Sequence, residues 1–193
     1  MAAEYPIRLE VDDAAAQNRL TVFFRIILLI PHAIILSILG IIAAIIYVIA
    51  WFAILFTGSY PAGMWRFTAG VLRWGIRAEG YLLLLTDKYP PFAMGDDSAY
   101  PIRPSLDERV ENRNRLTTFW PIRYILAIPH LIIVGVLQYA VYVVVLIAWI
   151  AALITGSVPG GLHSFMAGWL RWYARAYGYV LLLCDEYPPF SLN

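Results

Sequence analysis

Charge is scarce in this chain. Only 14% of its 193 residues are Asp, Glu, Lys or Arg, against 61% hydrophobic, and the mean hydropathy is +0.69. Soluble domains are about 25% charged, so there are too few charges here to cover a water-facing surface. Disorder is excluded as well, because a disordered chain is one without enough apolar surface to bury. Neither sign dominates: 14 Lys and Arg against 13 Asp and Glu leave +1, which gives nucleic-acid binding no general electrostatic support. Cysteine is nearly absent. The single Cys184 excludes an internal disulfide and any all-cysteine metal site. A basic leader is missing too: the first twenty residues carry Glu4, Glu10, Asp12 and Asp13, where a signal peptide has a basic stretch and a short apolar core. Glycine-rich phosphate loops, metal-spaced His/Asp/Glu clusters and nucleophile elbows are not found. No enzyme activity, catalytic residue or cofactor is therefore expected.

What is present is long apolar sequence between charged blocks. Seven of the 27 charges lie in residues 1–25, twelve in 86–123 and two in the last ten residues. Between Arg25 and Arg66 stand 40 residues without charge, and between Arg123 and Arg171 stand 47. A hydrocarbon core about 30 Å thick takes roughly 20 helical residues. Each apolar stretch is too long for one simple span and must bend, turn back or run along the interface. The strongest spanning segments are 33–56 and 131–154.

The chain is one unit written twice. Asn18-Arg19-Leu20-Thr21 returns as Asn114-Arg115-Leu116-Thr117, and Arg25…Pro31-His32 as Arg123…Pro129-His130. Thr57-Gly58-Ser59 returns as Thr155-Gly156-Ser157, and Leu72-Arg73-Trp74-x-x-Arg77 as Leu170-Arg171-Trp172-x-x-Arg175. Asp87-x-Tyr89-Pro90-Pro91-Phe92 returns as Asp185-x-Tyr187-Pro188-Pro189-Phe190. The units run 1–95 and 96–193. Each opens in a polar lead-in, and alternation at Tyr5, Ile7, Leu9 and Val11 predicts a short strand. Ser105-x-x-Glu108 reads as a capping box, Pro121 as a helix interruption or kink, and Pro31 and Pro129 as kinks. A Thr-Gly-Ser turn leads to a second helix ending near Leu85 or Leu183.

That second helix decides the topology. If it spans, each unit is a hairpin, and nine Lys/Arg (Arg8, Arg19, Arg25, Lys88, Arg103, Arg109, Arg113, Arg115, Arg123) share the cytoplasmic side with both termini. If it lies in the interface, only two spans exist and the units are inverted. The hairpin is the preferred expectation. Its cost is a row of arginines: Arg66, Arg73 and Arg77 fall on one helical face, and Arg171 and Arg175 repeat the last two. With Trp74 and Trp172 they make the candidate site. Either they snorkel to headgroups or pair with Glu79, Asp87 and Asp185, or they form an anion, lipid or partner-binding site. His32 and His130 are equivalent, and a haem bridging them is the remote alternative to a helix-start hydrogen bond. His163, opposite Trp65, is expected to be incidental.

The strings Arg25-Ile26-Ile27-Leu28-Leu29-Ile30-Pro31-His32, Phe56-Thr57-Gly58 and Leu84-Leu85-Thr86-Asp87-Lys88-Tyr89-Pro90-Pro91-Phe92 resemble an uncharacterised family of bacterial membrane proteins. It is classed as a domain of unknown function and often carried in one or two copies. The resemblance implies a bacterial cytoplasmic-membrane location and carries over no activity. The expectation is an all-α integral membrane protein of two tandem helical-hairpin repeats. It has about four membrane-embedded helices and short extended polar segments. Its expected role is non-enzymatic: a structural or accessory subunit packing against other membrane subunits, a second copy or anionic lipid. The alternative is a small transporter or channel for an anionic solute that uses the arginines at the repeat interface.

Overall fold

A computed structural model describes residues 5–119 and 122–193. Two strands and five helices follow one another: β1 (Ile7–Val11), α1 (Arg19–Thr57), α2 (Ala62–Leu82), β2 (Ile102–Leu106), α3 (Arg115–Thr118), α4 (Ile122–Thr155) and α5 (Gly160–Val180). The two units repeat each other's caps. Asn18 accepts from the Leu20 amide at the start of α1, and Asn114 accepts from Thr117 at the start of α3, supplying acceptors for otherwise orphaned first-turn amides. Gly58 and Gly156 end α1 and α4 in the left-handed conformation, with φ 75° and 76°, which glycine adopts without a Cβ clash.

One local expectation changes. Ser105 does not cap a helix; it sits in β2, where Ile102, Pro104 and Leu106 turn inward and Ser105 outward. The helix begins ten residues later because Asn114, not Ser105, is followed by a helical run. Pro31 and Pro129 lie inside the continuous helices α1 and α4. In apolar surroundings a break would expose several backbone groups, whereas one proline forfeits a single bond. The chain does interrupt between α3 and α4; Pro121 itself lies outside the described residues.

The elements stack in three layers. α1 and α4 form the first, α2 and α5 the second, and β1 paired antiparallel with β2 the third. Among the described residues, neither α1 nor α4 packs against either strand. The middle layer is close-packed because glycines face it: a Cβ on Gly80 would meet Ile102 and Leu170, and one on Gly178 would meet Ile7 and Leu72.

Within the first layer the two long helices run antiparallel. Trp149 Nε1 donates to Val22 O at 2.9 Å, and Trp51 Nε1 to Thr118 O at 2.9 Å. Arg19 reaches Ile154 O at 2.8 Å. The start of each long helix thus lies beside the end of the other. This corrects the expectation that the charged segments gather at one end: Arg19 and Arg25 lie at one end of the helix pair, and Arg113, Arg115 and Arg123 at the opposite end. The cause is the exchange of lead-ins. Gln17 N donates to Gly156 O (2.8 Å), and Arg113 N to Gly58 O (2.9 Å), so each lead-in seals the other unit's turn.

Among the described residues, α1 and α4 are the two helices long and apolar enough to cross a membrane. They contain the segments 33–56 and 131–154. From Leu20 to Phe56 and from Ile125 to Ile154 the exposed side chains are aliphatic or aromatic, with Ser37, Tyr139 and Tyr142 the polar exceptions. The Ser37 hydroxyl is bonded back to Ala33 O.

Candidate functional site

The arginines of α2 and α5 lie on one face, as their spacing requires, and that face looks away from α1 and α4. Arg66 pairs with Glu108 at 3.1 Å, exposed. Arg73 pairs with Asp96 at 2.9 Å. Arg77 donates to Ala93 O (3.2 Å) and Gly95 O (2.7 Å). In the second copy, Arg171 donates to Leu9 O (3.1 Å), and Arg175 to Ser191 O and to Asn193 O (2.6 Å). Their donors bind the chain's own extended segments, which a guanidinium fork suits because it meets two carbonyls at once. Burial depresses the affinity of Arg77 and Arg175 for their protons. For Arg77, Asp97 and Asp96 oppose that effect; for Arg175, Tyr5 does.

Asp87 and Asp185 pair with other arginines. Arg25 is buried over the Tyr81 ring at 4.2 Å; it donates to Tyr81 O (2.5 Å), Thr86 O (3.0 Å), Gln17 Oε1 (2.7 Å) and Asp87 (3.3 Å). Asp87 also accepts from the Thr21 hydroxyl. Arg123 repeats this over Tyr179, donating to Tyr179 O (2.6 Å), Cys184 O (2.9 Å) and Asp185 (2.6 Å). Where the first copy has Gln17, the second has Arg113, which also binds Asp185 at 2.8 Å. Glu79 joins none of these pairs.

Each histidine is enclosed within its own unit. Trp74 Nε1 donates to His32 Nδ1 at 2.8 Å, and Trp172 Nε1 to His130 Nδ1 at 3.0 Å. Phe92 and Phe190 stack on the imidazoles at 4.0 Å. This explains the Tyr-Pro-Pro-Phe motif: the rigid diproline presents an aromatic lid to the histidine. An indole only donates, so Nδ1 holds the lone pair and Nε2 the proton. That tautomer leaves no Nε2 lone pair for iron, and the haem alternative loses its geometry. Nε2 of both histidines is buried without a partner among the described residues. His163, expected to be incidental, binds Leu85 O of the other unit at 3.2 Å, and its counterpart Trp65 binds Leu183 O at 3.0 Å. Two different rings serve one symmetric contact because each offers an N–H at similar reach.

Sequence reasoning did not single out an apolar cavity in the fold. A cavity of about 940 Å³ lies between α1 and α2, closed on its far side by Tyr173 and Tyr177 of α5 and by Tyr124 of α4. Its mouth is rimmed by exposed apolar residues of α1, among them Ile30 and Val48. His32 and Glu79 line it, and Tyr47 and Tyr124 join hydroxyls at its wall, 2.6 Å apart. Burial raises the Glu79 carboxyl above its ordinary range. The available signal was a mismatch between copies: Glu79 is Tyr177 in the second unit, and Gly75 is Tyr173.

One family model, described as Domain of unknown function (DUF4389), matches residues 19–94 and again 117–191. No curated protein and no solved structure matches the chain.

Proposed function

The chain belongs to the DUF4389 family, in two tandem copies, and from that premise we propose a non-enzymatic membrane protein whose α1 and α4 lie immersed along one face of a bilayer. The strands and extended segments then stand in water. One observation carries this: the polar ribbon sits beside the mid-length of the helices instead of beyond their ends. Arg73 binds Leu106 O and Arg171 binds Leu9 O, and each arginine is the twelfth residue of its 21-residue helix. Were the helices upright, exposed Glu10, Asp12 and Asp96 would stand within the hydrocarbon, at several kcal/mol each. Laid flat, the same stack is apolar below and charged above. Length agrees: 39 residues make a helix of about 58 Å, nearly twice a hydrocarbon core.

The role that fits is structural or accessory, with lipid as the main partner. The arginines are clamps in this reading: they fasten the polar layer to α2 and α5, and so give no support to an anion path between the repeats. The test is sidedness. Single cysteines at Asp13 and Gly63, which precede and follow α1, are labelled with an impermeant maleimide in sealed vesicles. Labelling of both from the same side is expected. Labelling from opposite sides means that α1 spans, and the proposal fails.

A further inference from the structure

The cavity beneath α1 combines three features that a packing defect does not combine. It is large, about 940 Å³. It carries polar groups with nothing to bind: His32, 1% exposed, has a buried Nε2–H without a partner, and Glu79 makes no hydrogen bond or ion pair among the described residues. A buried donor left unmatched is costly, so such groups normally meet an acceptor. Finally, the space is larger in the first copy. Gly40, Gly75 and Glu79 line it, whereas their counterparts Gln138, Tyr173 and Tyr177 line a groove of about 570 Å³ between α4 and α5.

The lining defines the ligand. No lysine or arginine faces the cavity, so nothing neutralises a phosphate or carboxylate headgroup. The walls are aliphatic and aromatic, and the mouth opens at the apolar edge of α1. The polar groups have protons to give: His32 through Nε2, the Tyr47–Tyr124 pair through the hydroxyl hydrogen that their mutual bond leaves over. We propose that the cavity binds a neutral lipid bearing carbonyl or hydroxyl oxygens, its chain along α1 and its oxygens against His32 and Glu79. This rests on the bilayer placement of α1 given above.

The full chain is placed in phosphatidylcholine nanodiscs holding a small fraction of a photoactivatable diacylglycerol or of a photoactivatable long-chain benzoquinone. A third sample carries a photoactivatable phosphatidylcholine. At least one neutral probe should label residues 68–82 well above the phosphatidylcholine probe. Gly75→Tyr, which imports the second copy's residue where an added Cβ meets nothing within 4 Å, should cut that labelling about tenfold by filling the space. Its thermal midpoint, unchanged or raised, shows that the fold is intact. Glu79→Leu should reduce labelling about fivefold, the worth of one hydrogen bond. Labelling of 68–82 by neither neutral probe above phosphatidylcholine, or labelling indifferent to Gly75→Tyr, overturns the proposal. The phosphatidylcholine probe reports separately on the bilayer placement: it should mark Ile34 and Ile132 on the exposed faces of α1 and α4. If it does not, that placement fails on its own.

Discussion

Asp185 holds two buried arginines of the second unit, and its twin Asp87 provides an internal control. Asp185 accepts from Arg113 at 2.8 Å, from Arg123 at 2.6 Å and from the Asn114 amide at 2.8 Å. The two guanidiniums are 1% and 2% exposed and the carboxylate 21%. One anion thus balances two buried cations. Asp87 balances one, Arg25, at 3.3 Å, and is 27% exposed; Gln17 takes part of that arginine's hydrogen bonding at 2.7 Å. Removing one partner of a buried pair costs about 3–5 kcal/mol. Asp185→Asn should fall in that range, because Arg113 and Arg123 then repel each other uncompensated. Asp87→Asn should cost about half as much, on the order of 1–2 kcal/mol, its arginine keeping carbonyls and Gln17. For a chain this long, the larger figure lowers the thermal midpoint by about 10 °C. The assay is thermal unfolding in mild detergent followed by tryptophan fluorescence. Arg113→Gln completes the cycle: Gln17 already reaches Leu84 O at 3.3 Å, as Arg113 reaches Leu182 O at 2.8 Å. A glutamine is therefore accommodated, and in that background Asp185→Asn should cost no more than Asp87→Asn does. Equal losses from the two single Asp→Asn changes would refute the charge count.

Glu79 should make stability fall with pH. A carboxyl whose folded affinity for its proton is raised keeps the fold most stable below its ordinary value of 4.5. Stability is then lost as pH rises from there to the raised value, and is level beyond. Glu79→Gln should remove the fall, so that it melts above the parent at pH 7.5 and level with it near pH 4. Gly168→Ala would bring a Cβ to 2.9 Å from both Leu192 Cβ and Leu192 O; backbone cannot yield as a side-chain tip can, so limited proteolysis should cut around residues 191–193 faster than in the parent. Cys184 is buried, and desolvation pushes its thiol up to about 11. It should resist maleimide at pH 7 until the protein is unfolded, and modification at the native rate of a free thiol would contradict the burial.

Much of this was legible in the residues themselves. The duplication, the two long apolar helices and the arginine row follow from spacing, and all three are local patterns. What spacing does not carry is which surface meets which. The pairing of Leu9 with Pro104 joins segments about a hundred residues apart, and Ser105-x-x-Glu108 looks like a cap only until that partner strand is known. The arginine row was visible, but its occupants were not. Carbonyls at Ala93, Gly95 and Ser191 have no side-chain signature, so the donors looked free. His163 looked incidental because its counterpart is a tryptophan, and an alignment by identity does not register that both rings offer an N–H.

The exchange of lead-ins says why the unit occurs twice in one chain. Gly58 O and Gly156 O each need a donor at the end of a long helix, and each receives it from the opposite unit, as Arg113 N and Gln17 N. Trp65 and His163 exchange contacts across the same two-fold, to Leu183 O and Leu85 O. The ribbon does so too, since β1 belongs to one unit and β2 to the other. A single unit would therefore leave a turn carbonyl, a ring N–H and a strand edge unmatched at once. A lone edge strand of five residues is unstable by itself, and exposed edges invite pairing. One unit can reach this three-layer stack only against a second, so a chain carrying one copy would have to form it as a symmetric dimer. Fusing two copies removes the need to find a partner. It also frees the halves to differ, and they differ at the cavity wall, where Gly75 and Glu79 face Tyr173 and Tyr177. A symmetric dimer could not make that space wider on one side than on the other.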